Sequence, residues 1–331
     1  MDFSSFIQAI PDEIKAAVKE VNEGVKKAVV SNSSQLTELS SYVVANQGKQ
    51  LRPLFLFTCA MLFGAKTITA DMIQMATVIE LLHTATLIHD DIIDNAKLRR
   101  GKPSLNLKAG NNAALLVGDF LLIRAFGICS SLPDFICSAT EELCVDLVKG
   151  ELEEGQVTSE TTLEDSLNIA ELKTASLFKL CSLSAAYFSG KDAKFIRQAE
   201  EFGRLCGISF QVLDDLMDVL AEEKDTGKVR GVDLKEKKPS VPIVLWLQDN
   251  SAVGRDFLQN HVPDNVDIYL QDLRQSSAIQ KGFDLLSNLV SKAKTKLLIL
   301  NNEPSVCELL SKFLDQFNAQ AQFFQNHELK A

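Results

Sequence analysis

Breakers are scarce in this chain. Its 331 residues include only 8 prolines and 16 glycines, so long segments can run uninterrupted. Continuous alternation of apolar and polar residues is absent, which leaves no pattern for a half-buried sheet. Positive charge is in deficit, with 34 Lys and Arg against 44 Asp and Glu and a formal net charge of −10. A general nucleic-acid binder needs the opposite balance, so no nucleic-acid partner is expected. An anionic small substrate is not excluded, because clustered cations or bound metals reverse the sign locally. The seven cysteines are odd in number, form no CxxC and mostly sit in apolar stretches. That excludes a disulfide framework and points to small buried hydrophobes in a reducing compartment. No run of about 18 apolar residues stands out, so no membrane span is expected. The N-terminus, MDFSSFIQAIPDEIKAAVKE, carries acids early and has no long apolar core. Neither a signal peptide nor a transit peptide is expected, and a cytoplasmic location is.

What is present is helical patterning. Hydrophobic residues make up 46% of the chain and charged residues 24%, a globular composition able to bury a large core. From Asp71 the apolar positions Met72, Met75, Val78, Ile79 and Leu82 recur at three and four residues, as a core-facing helix requires. The same spacing predicts helices over 113–129, 136–148, 167–188, 195–220 and 279–300. Breaks fall at Gly48 to Pro53, Arg99 to Pro103, Leu132 to Asp134, Gly190 to Asp192, Gly227 to Pro242 and Asn301 to Pro304. With no Ser/Gly/Pro-rich linker and no short repeat, the economical expectation is one all-α domain over residues 1–331.

Two helices end in the same cluster. His89-Asp90-Asp91-Ile92-Ile93-Asp94 and Asp214-Asp215-Leu216-Met217-Asp218 both spell DDxxD. Asp90 and Asp94 share a helix face, as do Asp214 and Asp218, and like charges one turn apart repel. Folding alone does not ask for this; Mg2+ does, since it is held by one or two carboxylates together with substrate phosphates. One such cluster is an ordinary solvated helix end. Two on apolar helices point to a diphosphate bridged through metal ions that neutralise the leaving group. Cations are distributed around them: Lys49 and Arg52 in GKQLRP beside a helix start, Arg99 and Arg100 just past Asp94, Lys173 with Thr174, and Lys228 and Lys238 after the second cluster. Each taken singly is an ordinary surface cation.

Taken together, the segments GKQLRP, HTATLIHDDIIDNAKLRRGKPS, VGDFLLIRAF, KTASLF, FQVLDDLMDV and GKVRGVDLKEKKPSVP stand in a telling order. From about Gly48 to Pro242, and more loosely to the end, the chain resembles the trans-isoprenyl (polyprenyl) diphosphate synthase family, of the long-chain type. The resemblance implies an all-α isoprenoid synthase helical bundle with a deep central cavity, usually a homodimer. It implies that Asp90, Asp94 and Asp214 hold Mg2+ on an allylic diphosphate, with Asp91 and Asp218 in support and roughly three ions per site when substrate is bound. Arg99, Lys173, Lys228 and Lys238 would surround that diphosphate. Lys49, Arg52, His83 and Arg100 would bind the diphosphate of isopentenyl diphosphate. Thr174, Gln211 and the Lys173 carbonyl would line the place where the allylic cation forms. The departing diphosphate can take the proton, so neither His83 nor His89 is needed as a base, and His89 reads as structural.

This sequence departs from the family pattern at three places. Glu154 stands where Gln is frequent, Lys237 where Gly is usual, and the ending HELKA lacks a C-terminal arginine. Bulky aromatics four or five residues before the first cluster close the product tunnel early in the family; here those positions are Thr86 and Ala85. The expected floor is then deeper, at Val78, Leu81 or Leu82, or near Ile128 and Cys129. The expected product is a long, lipid-like polyprenyl diphosphate, with a farnesyl or geranylgeranyl synthase as the alternative. A terpene cyclase would normally carry an Asn/Ser/Glu metal motif in place of the second cluster. A regulatory subunit would lack one or both clusters, and a helical scaffold leaves the order of motifs unexplained.

Overall fold

The computed structural model describes residues 3–45, 48–221, 231–259 and 266–328, with side chains described as far as Phe324. Among these residues the regular secondary structure is helical apart from one short hairpin. The chain divides into two compact units, each described by itself: residues 10–142 with 180–197, and residues 1–9 with 143–179 and 198–331.

In the first unit, helices α2 (Asp12–Ala28), α4 (Leu51–Leu62), α6 (Leu105–Ala109) and α7 (Asn111–Cys129) pack around α5 (Ala70–Ile93), and α3 (Ser34–Val44) packs on α2, α6 and α7. Thr69 starts α5 by accepting the Met72 N–H on its hydroxyl at 3.3 Å, a side-chain N-cap. Beyond that cap the helix is buried on nearly every side, through Met72, Met75, Val78, Ile79, Leu81, Leu82, Ala85 and Ile88. A helix apolar all round belongs in a core, and the first aspartate cluster is mounted on its C-terminal end. α7 differs from the sequence expectation: by length and composition it could cross a membrane, a measure that core helices of soluble proteins also meet. Its apolar run is interrupted only by Asp119 and Arg124 after the two N-terminal asparagines. Leu115, Leu116, Ile123 and Phe126 on it are exposed.

Helix α8 (Asp134–Glu153) leads into the second unit, followed by α9 (Leu163–Ala170), α10 (Ser176–Phe188), α11 (Ala193–Leu220), α12 (Val232–Glu236), α13 (Val241–Gln248), α14 (Ala252–Gln259), α15 (Val266–Gln275), α16 (Ala278–Ile299) and α17 (Pro304–Glu328). The boundary between units falls within α8, α10 and α11. In this unit α1 (Ser4–Ala9) docks on α17, where Phe3 and Phe6 join Phe313, Phe317 and Phe210 in one aromatic cluster. That cluster backs Phe210, the neighbour of Gln211. The predicted helix over 167–188 is interrupted by a π turn, Glu171–Ala175, which holds Lys173 and Thr174. Single π turns inside α-helices occur frequently at functional sites. All seven cysteines are free thiols, five of them buried.

Gly207 lets α11 approach the π turn. A Cβ there would lie 2.4 Å from the Ala175 Cα, a backbone atom that cannot rotate away. Gly207→Ala is therefore expected to cost about 1–3 kcal/mol and to lower Tm by about 2–8 °C, as read by thermal unfolding. An unchanged Tm would mean that the two segments separate freely.

Candidate active site

Asp94 is the C-cap of α5, and its backbone N–H donates to the Asp90 carbonyl at 2.8 Å. Their half-buried carboxylates thus stand one turn apart. Asp91 between them is buried, and Arg99 holds it through Nε at 3.0 Å and through Nη2. Arg99 lies in a hairpin in which Leu98 pairs with Pro103 and Arg99 with Lys102. The loop residues Arg100 and Gly101 both have positive φ, 53° and 74°, as a two-residue I′ turn demands. Asn106 adds a 3.0 Å bond from its side-chain amide to the Asp91 carbonyl.

The second cluster repeats this plan on α11. Asp214 and Asp218 are half-buried and Asp215 is buried. Asp215 accepts Gln211 Nε2 at 2.7 Å and the Val241 N–H at 3.0 Å, while Gln211 Oε1 accepts the Thr174 hydroxyl at 2.5 Å. Burial pushes the Asp215 carboxyl up to about 7, against the bonds from Val241 and Gln211, which favour its charge. Asp218 accepts the backbone N–H groups of Val232 and Asp233 at 3.2 and 3.1 Å. The structure thus joins Thr174, Gln211 and the second cluster into one hydrogen-bonded chain. Lys173 Nζ lies 2.7 Å from Glu151 Oε2 and 2.5 Å from Glu154 Oε2, contacts that raise its pKa despite burial. Lys238 Nζ pairs with Glu236 at 2.9 Å. Lys228 lies outside the described residues.

In the other unit a cation cluster assembles around α5. Arg52 Nη1 lies 3.0 Å from His83 Nε2. Arginine can only donate, so His83 Nε2 accepts and the ring proton sits on Nδ1. Burial first, then Arg52, Arg100 and Arg99, hold the His83 pKa well below its ordinary value, so the ring is neutral. The Cα of Gly48 faces the Arg100 guanidinium closely enough that a Cβ would meet it at 2.8 Å, which places the loop carrying Lys49 beside Arg100. Glu80, one turn before His83, is 5% exposed. Sequence reading left it out, although an acid inside Thr77-Val78-Ile79-Glu80-Leu81-Leu82 was a visible signal. His89 Nε2 lies 3.4 Å from the Leu115 carbonyl and 3.6 Å from Asp119, which fastens α5 to α7. Ala85 is fully buried, and the half-buried Thr86 turns its hydroxyl back to the His83 carbonyl at 3.0 Å.

The donor set fits magnesium. Among the described residues no three His, Cys, Asp or Glu side chains converge as an all-protein cage. Paired hard carboxylates on one helix face leave the remaining positions to phosphate oxygens and water, which Mg2+ prefers. Asp90 with Asp94, and Asp214 with Asp218, are the residues that would hold it.

An all-α bundle with two such rows and separate cation sets is the arrangement of an isoprenoid synthase. The family model described as polyprenyl synthetase matches residues 33–276, and the chain belongs to that family. It is 33% identical over 272 residues to an all-trans-nonaprenyl-diphosphate synthase (geranyl-diphosphate specific) of Rhodobacter capsulatus, covering 79% of this chain and 80% of the relative. The heptaprenyl diphosphate synthase structure from Staphylococcus aureus superposes with a TM-score of 0.86 at 28% identity, over 92% of this chain and 98% of that one. A Caulobacter crescentus polyprenyl synthase, complexed with calcium and isoprenyl diphosphate, gives 0.85 at 26% identity over 94% and 97%. The chain is thus a trans-prenyltransferase of the polyprenyl diphosphate synthase class.

Burial pushes Glu80 from 4.5 up to about 7, only partly offset by Arg52 and Arg100. The folded state therefore binds this proton more tightly than the unfolded chain, and the stability it contributes is lost as pH rises toward and through 7. Glu80→Gln keeps the neutral shape. Its stability is expected to gain on wild type between about pH 5.5 and about pH 8, by an amount on the order of 1–3 kcal/mol at the upper end, as read by thermal unfolding across that range. A wild type that gains relative to the variant over that interval would mean that the arginines outweigh burial.

Proposed function

We propose that this chain condenses isopentenyl diphosphate with an allylic diphosphate, dependent on Mg2+, to give a long-chain all-trans polyprenyl diphosphate. The observation that carries this is the presence of two different anion-handling sets. The aspartate rows suit a diphosphate that must ionise. Arg52, neutral His83 and Arg100 suit a second diphosphate that only has to be held. A terpene cyclase, acting on one diphosphate, has no use for the second set.

Bound metal would neutralise the charge that develops as the allylic C–O bond breaks. The chain's own residues do the rest. Lys173 and Lys238 add positive charge around the leaving group, a preorganised stabilisation of the kind that dominates such steps, and Arg99 steadies the first aspartate row through Asp91. Gln211, oriented by Asp215, and Thr174, oriented by Gln211, place polar oxygens beside the nascent cation. Arg52 and Arg100 orient isopentenyl diphosphate so that its double bond attacks that cation, and the released diphosphate takes the proton.

The small side chains of Ala85 and Thr86 support a deep tunnel, as do the nonaprenyl and heptaprenyl products in the names of the proteins this chain resembles. A product of about thirty to fifty carbons follows, each buried methylene contributing ~0.8 kcal/mol. The exposed Leu115, Leu116, Ile123 and Phe126 of α7 support a homodimer that covers them. Residues 1–331 then act as one catalytic domain, in the cytoplasm.

Asp90→Ala and Asp214→Ala are each expected to lower kcat on the order of 100- to 1000-fold or more while leaving the far-UV spectrum unchanged. Near-normal turnover in either would remove that row from the mechanism. Incubation with isopentenyl diphosphate, each allylic primer and Mg2+, with products separated by length, tests the reaction itself. Ala85→Phe should shift the product toward about fifteen or twenty carbons, once the variant is shown to fold despite an overpacking cost of about 1–3 kcal/mol. A wild type that stops at the shorter length, or a variant that still makes the longer one, refutes the tunnel reading.

A further inference from the structure

Lys173 is held by more negative charge than its own ammonium carries. Its stem leaves the π turn past Gly150 of α8, where a Cβ would come within 2.7 Å of Lys173 Cγ. The ammonium then lies between two carboxylates, Glu151 in the last turn of α8 at 2.7 Å and Glu154 just past its end at 2.5 Å. The three side chains are only 19–24% exposed, so the set is partly shielded from water. Nearby cations are already engaged: Arg204 with Glu171 and Glu201, Lys179 with Glu171 and Glu200. Two carboxylates and one ammonium leave a local charge of one negative unit at a residue read as a diphosphate ligand.

One carboxylate is enough to orient a lysine. The second adds repulsion toward an incoming polyanion and must surrender its contact for the phosphate oxygens to take it. We propose that Glu154 sets how tightly the allylic diphosphate is held, by competing with it for Lys173. This rests on the reading of Lys173 as a ligand of that diphosphate. The ligand class is a diphosphate, whether on the allylic substrate, on the elongated product or as the free inorganic ion. The competition acts on release as well as on binding. After each turn the carboxylate retakes the ammonium, and both the inorganic diphosphate and the finished product leave more readily.

The test uses the full-length enzyme with Mg2+ and compares wild type with Glu154→Gln, an isosteric change that keeps an oxygen facing Lys173 and removes the charge. The KM for the allylic diphosphate and the Ki for inorganic diphosphate are both expected to fall about fivefold, in proportion to one partly shielded ion pair, with the KM for isopentenyl diphosphate unchanged. A purely structural role for Glu154 would not move a product-inhibition constant in that direction. Glu151→Gln, which leaves Glu154 as the sole partner, is expected to act in the same sense and serves should the first variant fold poorly. Unchanged or raised allylic KM and Ki in a folded variant overturn the proposal, because Glu154 is then neutral or holds Lys173 for the substrate. Lys173→Ala separates the two levels. A raised allylic KM there, beside an unaltered Glu154→Gln, sinks the competition alone. An unaltered allylic KM in Lys173→Ala removes the ligand assignment and the competition with it.

Discussion

The structure depends on keeping like charges close together at the ends of apolar helices. A carboxylate taken out of water loses solvation that only hydrogen bonds or opposite charge restore. Both aspartate rows meet this cost in the same way. The middle residue of each is turned into the protein and tied down: Asp91 by the Arg99 guanidinium, Asp215 by the Val241 N–H and the Gln211 amide. Each tie also fixes something else. Arg99 brings the hairpin and Arg100 to the end of α5, and Asp215 brings the start of α13 and the Gln211–Thr174 pair to α11. The repeated motif is therefore one anchor flanked by half-buried carboxylates, and the anchor gives them a fixed backbone to stand on.

The cations obey the same constraint from the other side. Arg52 is desolvated, and burial pushes its guanidinium down from its ordinary value while Glu80 pulls it back up. An arginine remains charged under that pressure where a lysine would release its proton, which suits the position to a substrate that must be held without a metal. Burial raises the Glu80 pKa to about 7 while Arg52 and Arg100 pull it down, so the acid only partly offsets their positive charge. A diphosphate arriving there meets preformed donors whose mutual repulsion it relieves.

Much of this was legible in the sequence, and the residues show why. The aspartate rows were visible because repeated acids in apolar helices have no purpose in folding. Helix ends such as those of α7 and α11 followed from periodicity to within about two residues, the usual accuracy of such boundaries. The π turn at Lys173 was not visible, since its composition is that of an ordinary helix and its close neighbour, α11 at Gly207, is distant along the chain. Asp215 was hidden for a different reason. In sequence it is equivalent to its neighbours, and only the arrival of Val241, distant along the chain, makes it an anchor. Lys237 was noticed as unusual without its role. It adopts a left-handed backbone with φ 56° and donates its ammonium to the Phe257 carbonyl at 2.8 Å, so that it serves the C-terminal end of α14.

A chain of net charge −10 whose reading requires it to bind two polyanions looks contradictory until the charge is followed residue by residue. Net charge governs the far field, whereas binding is decided within about a Debye length, roughly 8 Å at physiological salt. There the balance differs from site to site. Around Glu80 the Arg52 and Arg100 guanidiniums face one buried acid, while Arg99 is taken up by the buried Asp91. Around Lys173 the balance is reversed, with Glu151 and Glu154 outnumbering one ammonium. The site for a diphosphate that only has to be held is thus electropositive by itself. On the proposed reading, the site for the diphosphate that must ionise and leave would be electronegative without metal, which would make metal ions a condition of binding there and not at the other. On that reading an enzyme that releases inorganic diphosphate at every elongation step gains from the difference, since a leaving group held in large part through exchangeable ions is one it can let go.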